Sequence, residues 1–315
     1  VTLGDLDGPG SFSGNAATVR RDSRGRYLVL VASAPVPLLF DSTGKFIAAV
    51  AREGQGPGEI RRAFAALFGR GDTVLIPEQG SLSVFSPELG FVRKVQTAAF
   101  GSNYTVLPDG NLFLLGGLRT PGGEAFQYHV ISTDGRHIRS FVELDPPAAR
   151  PPGAPIVNAA RMYALSRQSG EFWSHSNLEY RFTLNDSVGI PRRVWEGSSA
   201  WFTETQRKGQ TPLIWAVRED SRRILWVMGL MPGPGYREPI PDATGTVTGA
   251  PSGSGARISA LDAIDLETGA LLASARIPLQ VNRFVDDERI AVLTEVAGGI
   301  PRTEVWRFRL SGFQR

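Results

Sequence analysis

Residues 40–60 read "FDSTGKFIAAVAREGQGPGEI" and hold the two kinds of chain reversal from which the fold can be inferred. The first half is a strand that ends in Phe40-Asp41, turns through Ser-Thr-Gly and resumes as an alternating strand. The second half packs three glycines and a proline between Arg52 and Arg62. A phosphate cradle of the P-loop type needs a lysine and a hydroxyl residue after its last glycine, but Gly58 is followed by Glu59 and Ile60. A dinucleotide fingerprint needs its third glycine three positions after the second, and "GQGPGE" has the wrong spacing. The stretch therefore reads as a corner: glycines reverse the chain and Pro57 stiffens the turn.

Working outward, the first kind of turn recurs. "LLFDSTG", "SVFSPELG", "HVISTDG", "FTLNDSVG", "AIDLETG" and "FRLSG" end at Gly44, Gly90, Gly135, Gly189, Gly269 and Gly312, with spacings of 46, 45, 54, 80 and 43 residues. A second series precedes it, in which a polar turn feeds an apolar strand: "DSRGRYLVLV", "GRGDTVLIP", "LPDGNLFLLG", "RQSGEFWSH", "EDSRRILWVM" and "VDDERIAVLT". Asp, Asn, Ser and Gly suit tight turns, and β-branched and aromatic residues suit pleated surfaces. Six repeats of about 45 residues, each with four short antiparallel strands, describe an all-β chain and a six-bladed β-propeller. The expected blades cover residues 15–51, 62–97, 103–143, 161–196, 212–277 and 281–312, as one domain over 1–315, with insertions at 145–161 and 229–259. In the first blade the strands are expected near 16–21, 26–32, 37–40 and 45–52. After "EVWRFRLSG" too little chain remains for a fourth strand, so residues 1–6 are expected to complete the last blade and remove two exposed sheet edges.

Residues 40–60 also resemble the signature of bacterial six-bladed propeller proteins related to the NHL-repeat group, in which Phe-Asp-x-x-Gly and a strand precede Gly-x-Gly-Pro-Gly-Glu. The resemblance is close over this stretch and reduces to the turn pattern elsewhere. It implies the propeller fold and, since many such proteins are extracytoplasmic, a periplasmic or exported location. It implies no catalytic residue.

Composition narrows the function classes. Apolar residues make up 42% and charged residues 21% of the chain, as in a globular protein, and a net charge of +3 gives little general attraction for nucleic acid. Lysine occurs only at 45, 94 and 208, so arginine carries nearly all the positive charge. Cysteine is absent, which excludes disulfides, thiolate metal sites and cysteine nucleophiles. No apolar run reaches the roughly 18 residues of a membrane-spanning helix. The chain begins with valine and "VTLGDLDGPG" lacks signal-peptide character, so a removed leader or a trimmed start is expected.

Catalytic patterns are missing: there is no G-x-S-x-G, no H-E-x-x-H, and His129, His137 and His175 are scattered through separate strands or turns. "DLDG" at residues 5–8 reads as a capped turn, since the later acidic ligand of a calcium loop is absent. The expectation is a non-catalytic binding or scaffold protein without a cofactor, an accessory subunit docking through its insertions on a larger, membrane-associated assembly. Met231, Tyr236 and Arg237 are its expected anchors, large side chains among small ones, and Trp201 and Phe202 in a polar connection are a second candidate patch. One alternative is a lactonase-like hydrolase with calcium at the channel mouth, using Asn15, Asn103, Asn158 and Asn282, each placed shortly before the first strand of a repeat. Another is a sensor for sugars or peptides, with aromatic residues near the channel entrance.

Overall fold

A computed structural model describes residues 1–4, 12, 16–31, 34–118, 126–143, 162–167, 170–207, 212–236, 256–296 and 300–311. The described chain is built from six consecutive antiparallel meanders, the blades of a six-bladed β-propeller. It divides into two compact units, residues 1–160 with 187–190, and residues 161–186 with 191–315.

The first unit carries three four-stranded sheets. Strands β1 (Ala16–Arg21), β2 (Tyr27–Val31), β3 (Leu38–Phe40) and β4 (Phe46–Ala49) form the first. After the corner strands β5 (Arg52–Glu53) and β6 (Glu59–Ile60), β7 (Leu67–Phe68), β8 (Val74–Glu78), β9 (Ser81–Phe85) and β10 (Phe91–Gln96) form the second. Strands β11 (Ala99–Val106), β12 (Leu112–Leu118), β13 (Phe126–Ile131) and β14 (His137–Glu143) form the third. Middle strands such as "YLVLV" are buried at every position, whereas the outer β10 is mostly exposed, as expected for strands covered on both faces or on one.

The repeated turn shows its chemistry at Asp41. Its Oδ1 accepts hydrogen bonds from the backbone N–H groups of Thr43 (2.8 Å) and Lys45 (3.0 Å), and Gly44 stands at φ 93°. Bonding to Thr43 holds the Asp41 carboxyl below its ordinary pKa. Some turns of the two series lack a glycine at the left-handed position, and there Asp72, Leu89 and Arg223 take φ values of 61°, 66° and 62°. The motif specifies the turn more strictly than it specifies the residue.

The corner holds the first two sheets together. Arg52 and Glu59 pair in a short parallel bridge, as do Glu53 and Ile60. Ile60 is fully buried in a cluster with Leu28 and Leu39 of the first sheet and Val74, Ile76 and Phe85 of the second. Past it, the Arg61 N–H donates to Glu78 Oε1 (2.9 Å), and Lys94 pairs with Glu78 at 2.8 Å.

The second unit has β15 (Met162–Leu165), β16 (Phe172–His175), β17 (Arg181–Asn185) and β18 (Pro191–Glu196), then helix α1 (Ala200–Arg207). Strands β19 (Leu213–Glu219), β20 (Ile224–Pro232), β21 (Arg257–Asp265) and β22 (Leu271–Ile277) follow. The last sheet has three described strands, β23 (Gln280–Phe284), β24 (Arg289–Val296) and β25 (Ile300–Arg307). The strand expected from residues 1–6 is not among those described for it. Of that segment, Gly4 donates its N–H to Gly44 O (3.1 Å) at the β3–β4 turn, and residues 5 and 6 lie outside the described residues.

The insertion at 229–259 is shorter than its sequence suggests. Strands β20 and β21 continue into it, pairing Met231 with Ile258 and Pro232 with Arg257. The insertion at 145–161 and the remainder of the longer one, 237–255, lie outside the described residues.

Candidate functional site

The anchors expected from sequence are mostly core. Trp201 and Phe202 are buried on α1 at 1% and 6% exposure, and Met231 is buried at 4%, all in one cluster with Trp173, Tyr180 and Phe182. As a docking patch these three are therefore corrected: they stabilise the second unit. On α1, Trp201 and Thr205 stand one helical turn apart on the same face, and both are buried. The Trp201 indole lies against the bare backbone of Gly229 and donates Nε1–H to Asp262 Oδ2 (2.7 Å). Tyr236 is half-buried beneath the Arg257 guanidinium, 5.6 Å from its ring centre, and Arg237 lies outside the described residues.

The asparagines also sit differently from expectation. Asn103 and Asn282 lie within the first strands of their sheets, not before them, and Asn15 and Asn158 lie outside the described residues. Both visible asparagines mark β-bulges. The register of β11 shifts between Ser102 and Thr105, and that of β23 between Val281 and Arg283. First strands bulge at two further places, between Ala16 and Thr18 in β1 and between Ile214 and Ala216 in β19. A bulge leaves one residue unpaired and re-aims its side chain. In the second unit the residues so released are Trp215 and Asn282, and they meet: Trp215 Nε1–H donates to the Asn282 carbonyl at 2.7 Å. Asn282 is buried, and its Nδ2 has no hydrogen-bond partner.

Arg283 follows on the same strand, and Tyr163 on β15 acts on it electrostatically. The guanidinium makes no hydrogen bond or ion pair with the described residues. Loss of hydration lowers its pKa, and only the Tyr163 phenol opposes that shift. Several other charged groups of the unit are paired. Asp287 bridges Arg167 and Arg218, and Glu219 accepts from Ser166, Trp173 and Arg223. Asp220 is tied to Arg222 and to the Trp226 indole.

His129 and His175 are packed inside their sheets, and His137 is exposed. His175 is buried, and burial pulls its pKa down to about 4. His129 is likewise held neutral by burial. Its Nε2–H points at the carbonyls of Gly116 and Phe126, both at 3.1 Å, which leaves Nδ1 to accept from the Ser140 hydroxyl at 2.7 Å. Among the described residues no three His, Asp or Glu side chains converge on a metal-sized point.

In the first unit the corner borders a cleft of about 560 Å³ lined by Val50, Arg52, Pro57, Phe85, Leu89 and Phe91, among others. Phe91 stacks edge-on against Phe85 and is 39% exposed, and its neighbour Val92 is 52% exposed. Arg52 at the rim is exposed and has no ion-pair partner among the described residues.

No family model matches the chain, and no curated protein does. Solved structures do. A protein provisionally named as exported, from Bacteroides fragilis, superposes with a TM-score of 0.59 at 13% identity over 94% of this chain and 83% of its own. A member of the DUF4221 family from Bacteroides vulgatus gives 0.61 at 11% identity over 94% and 96%. At such identities the likeness shows the fold alone.

Proposed function

We propose that this chain is a non-catalytic binding protein that works outside the cytoplasm, an NHL-like propeller serving as an accessory subunit on a larger, membrane-associated assembly. The observation that carries this reading is the corner cleft, where Phe91 of the outer strand β10 stays exposed and the exposed Arg52 has no ion-pair partner among the described residues. Apolar surface rimmed by charge is the usual make-up of a docking site. The exported name of one structural neighbour supports the location. No helix among the described residues is long and apolar enough to cross a membrane.

The test is gentle affinity purification from the native host, with soluble and membrane fractions analysed separately. A stoichiometric partner is expected with the native chain and not with Phe91→Ser or Arg52→Glu. A clean monomer in the soluble fraction would sink the scaffold reading. The competing reading, a calcium-dependent lactonase-like hydrolase, draws on Asn103 and Asn282 standing at bulges. Calcium favours several carboxylate and carbonyl oxygens, so equilibrium dialysis against calcium decides that alternative.

A further inference from the structure

The first strands of the second unit carry a charge imbalance. Arg283 is half-buried and makes no hydrogen bond or ion pair with the described residues. Buried charges are as a rule paired, because an unpaired one forfeits hydration without compensation. Nearby arginines follow that rule, Arg167 and Arg218 on Asp287 and Arg223 on Glu219. Arg283 departs from it at a place where the backbone is bulged and where Trp215, itself half-buried, is fixed by its bond to the Asn282 carbonyl.

We propose that Arg283, together with Trp215, forms a binding site for the carboxylate of a small organic acid whose ring or chain lies against the indole. The guanidinium fork matches a carboxylate in two parallel hydrogen bonds. A single unpaired cation balances a monoanion. A phosphate dianion would call for a second cation, and Arg167 and Arg218 are already engaged with Asp287. The Trp215 ring, held by its own N–H, offers a pre-set surface at little entropic cost. This site belongs to the second unit and is independent of the corner cleft, so either reading can fail without the other.

The experiment is isothermal titration of the whole chain with benzoate, benzyl alcohol and inorganic phosphate in a chloride-free buffer, with thermal melts in parallel. Benzoate is expected to bind and raise the melting temperature, and benzyl alcohol and phosphate to do neither. Arg283→Gln is expected to lose about tenfold or more in benzoate affinity, as the loss of a charge-assisted bond implies, while melting no lower than the native chain. Arg283→Lys keeps the charge without the fork and is expected to fall between the two. Equal binding of benzyl alcohol or phosphate, unchanged benzoate affinity in Arg283→Gln, or a melting temperature lowered by several degrees in both variants would each overturn the proposal. The last outcome would make Arg283 a structural residue.

Discussion

Glu59 Oε2 accepts a hydrogen bond from the Gly56 N–H at 2.8 Å, so the corner's own carboxylate occupies the place where a glycine-rich loop would hold a phosphate. The same oxygen lies 2.1 Å from where a Cβ on Gly54 would stand. The loop is a closed turn carrying its own anion. Glu59→Ala is expected to destabilise the first unit by about 1–2 kcal/mol, the net worth of a partly exposed charge-assisted bond. Urea melts in phosphate and in Tris at equal ionic strength check both halves of the claim. Phosphate should add no stability to the native chain, and phosphate-dependent protection would reopen the ligand-loop reading.

The packing of Trp201 on Gly229 gives a second prediction. A Cβ at Gly229 would stand 2.1 Å from the indole Cη2, and the indole is anchored by Asp262, so the ring has little freedom to retreat. Gly229→Ala is expected to cost about 1–3 kcal/mol, the usual penalty for overpacking a filled core. In a Trp201→Phe background, where the ring is smaller, the same change should cost clearly less. Additive penalties in that double-mutant cycle would mean that the contact does not govern the site.

His175 sets an acid limit. Its folded pKa of about 4 lies below the unfolded value near 6.5, and burial is the main cause. Between those values the unfolded chain binds the extra proton, so the stability it contributes is complete above about pH 6.5 and is lost as pH falls toward 4. About 3 kcal/mol is at stake for a shift of this size. His129, also depressed by burial, acts in the same sense. His175→Phe should flatten part of the decline between pH 6.5 and 4.5 in denaturant titrations. A parallel decline in both proteins would assign the acid sensitivity elsewhere.

The repeat of turns was legible because its chemistry is local: Asp41 bonds its own turn, and Gly44 supplies its positive φ. Blade order followed from that period alone. The candidate sites were less legible because burial is a long-range property. Trp201 and Met231 look like exposed anchors among polar and small neighbours, and only α1 packing on β20 places them inside. Bulges are equally silent in sequence. Asn103 and Asn282 attract notice as turn formers, yet they stand inside strands at register shifts, and Arg283 becomes unusual only when no ion pair is found for it among the described residues. In the lengthened hairpin, "LMP" reads as the start of a loop but continues the ladder to Pro232.

The amino-terminal segment allows a prediction that joins sequence to structure. Leu3 is 2% exposed, Gly4 bonds Gly44, and a Cβ on Gly44 would stand 1.8 Å from the Thr2 carbonyl, so the segment lies tightly on the β3–β4 turn. Burial of Leu3 alone is worth about 1.5–3 kcal/mol. Deleting residues 1–6 is therefore expected to shift the whole thermal transition downward as one cooperative step, and Gly44→Ala should reproduce part of that shift by forcing the segment off the turn. Hydrogen exchange separates the two ways the segment can act. Protection lost in β24 and β25 as well as in β3 and β4 would accord with a strand that also completes the last sheet. Loss confined to β3 and β4, with an unmoved main transition, would reduce the segment to a local cover on one turn.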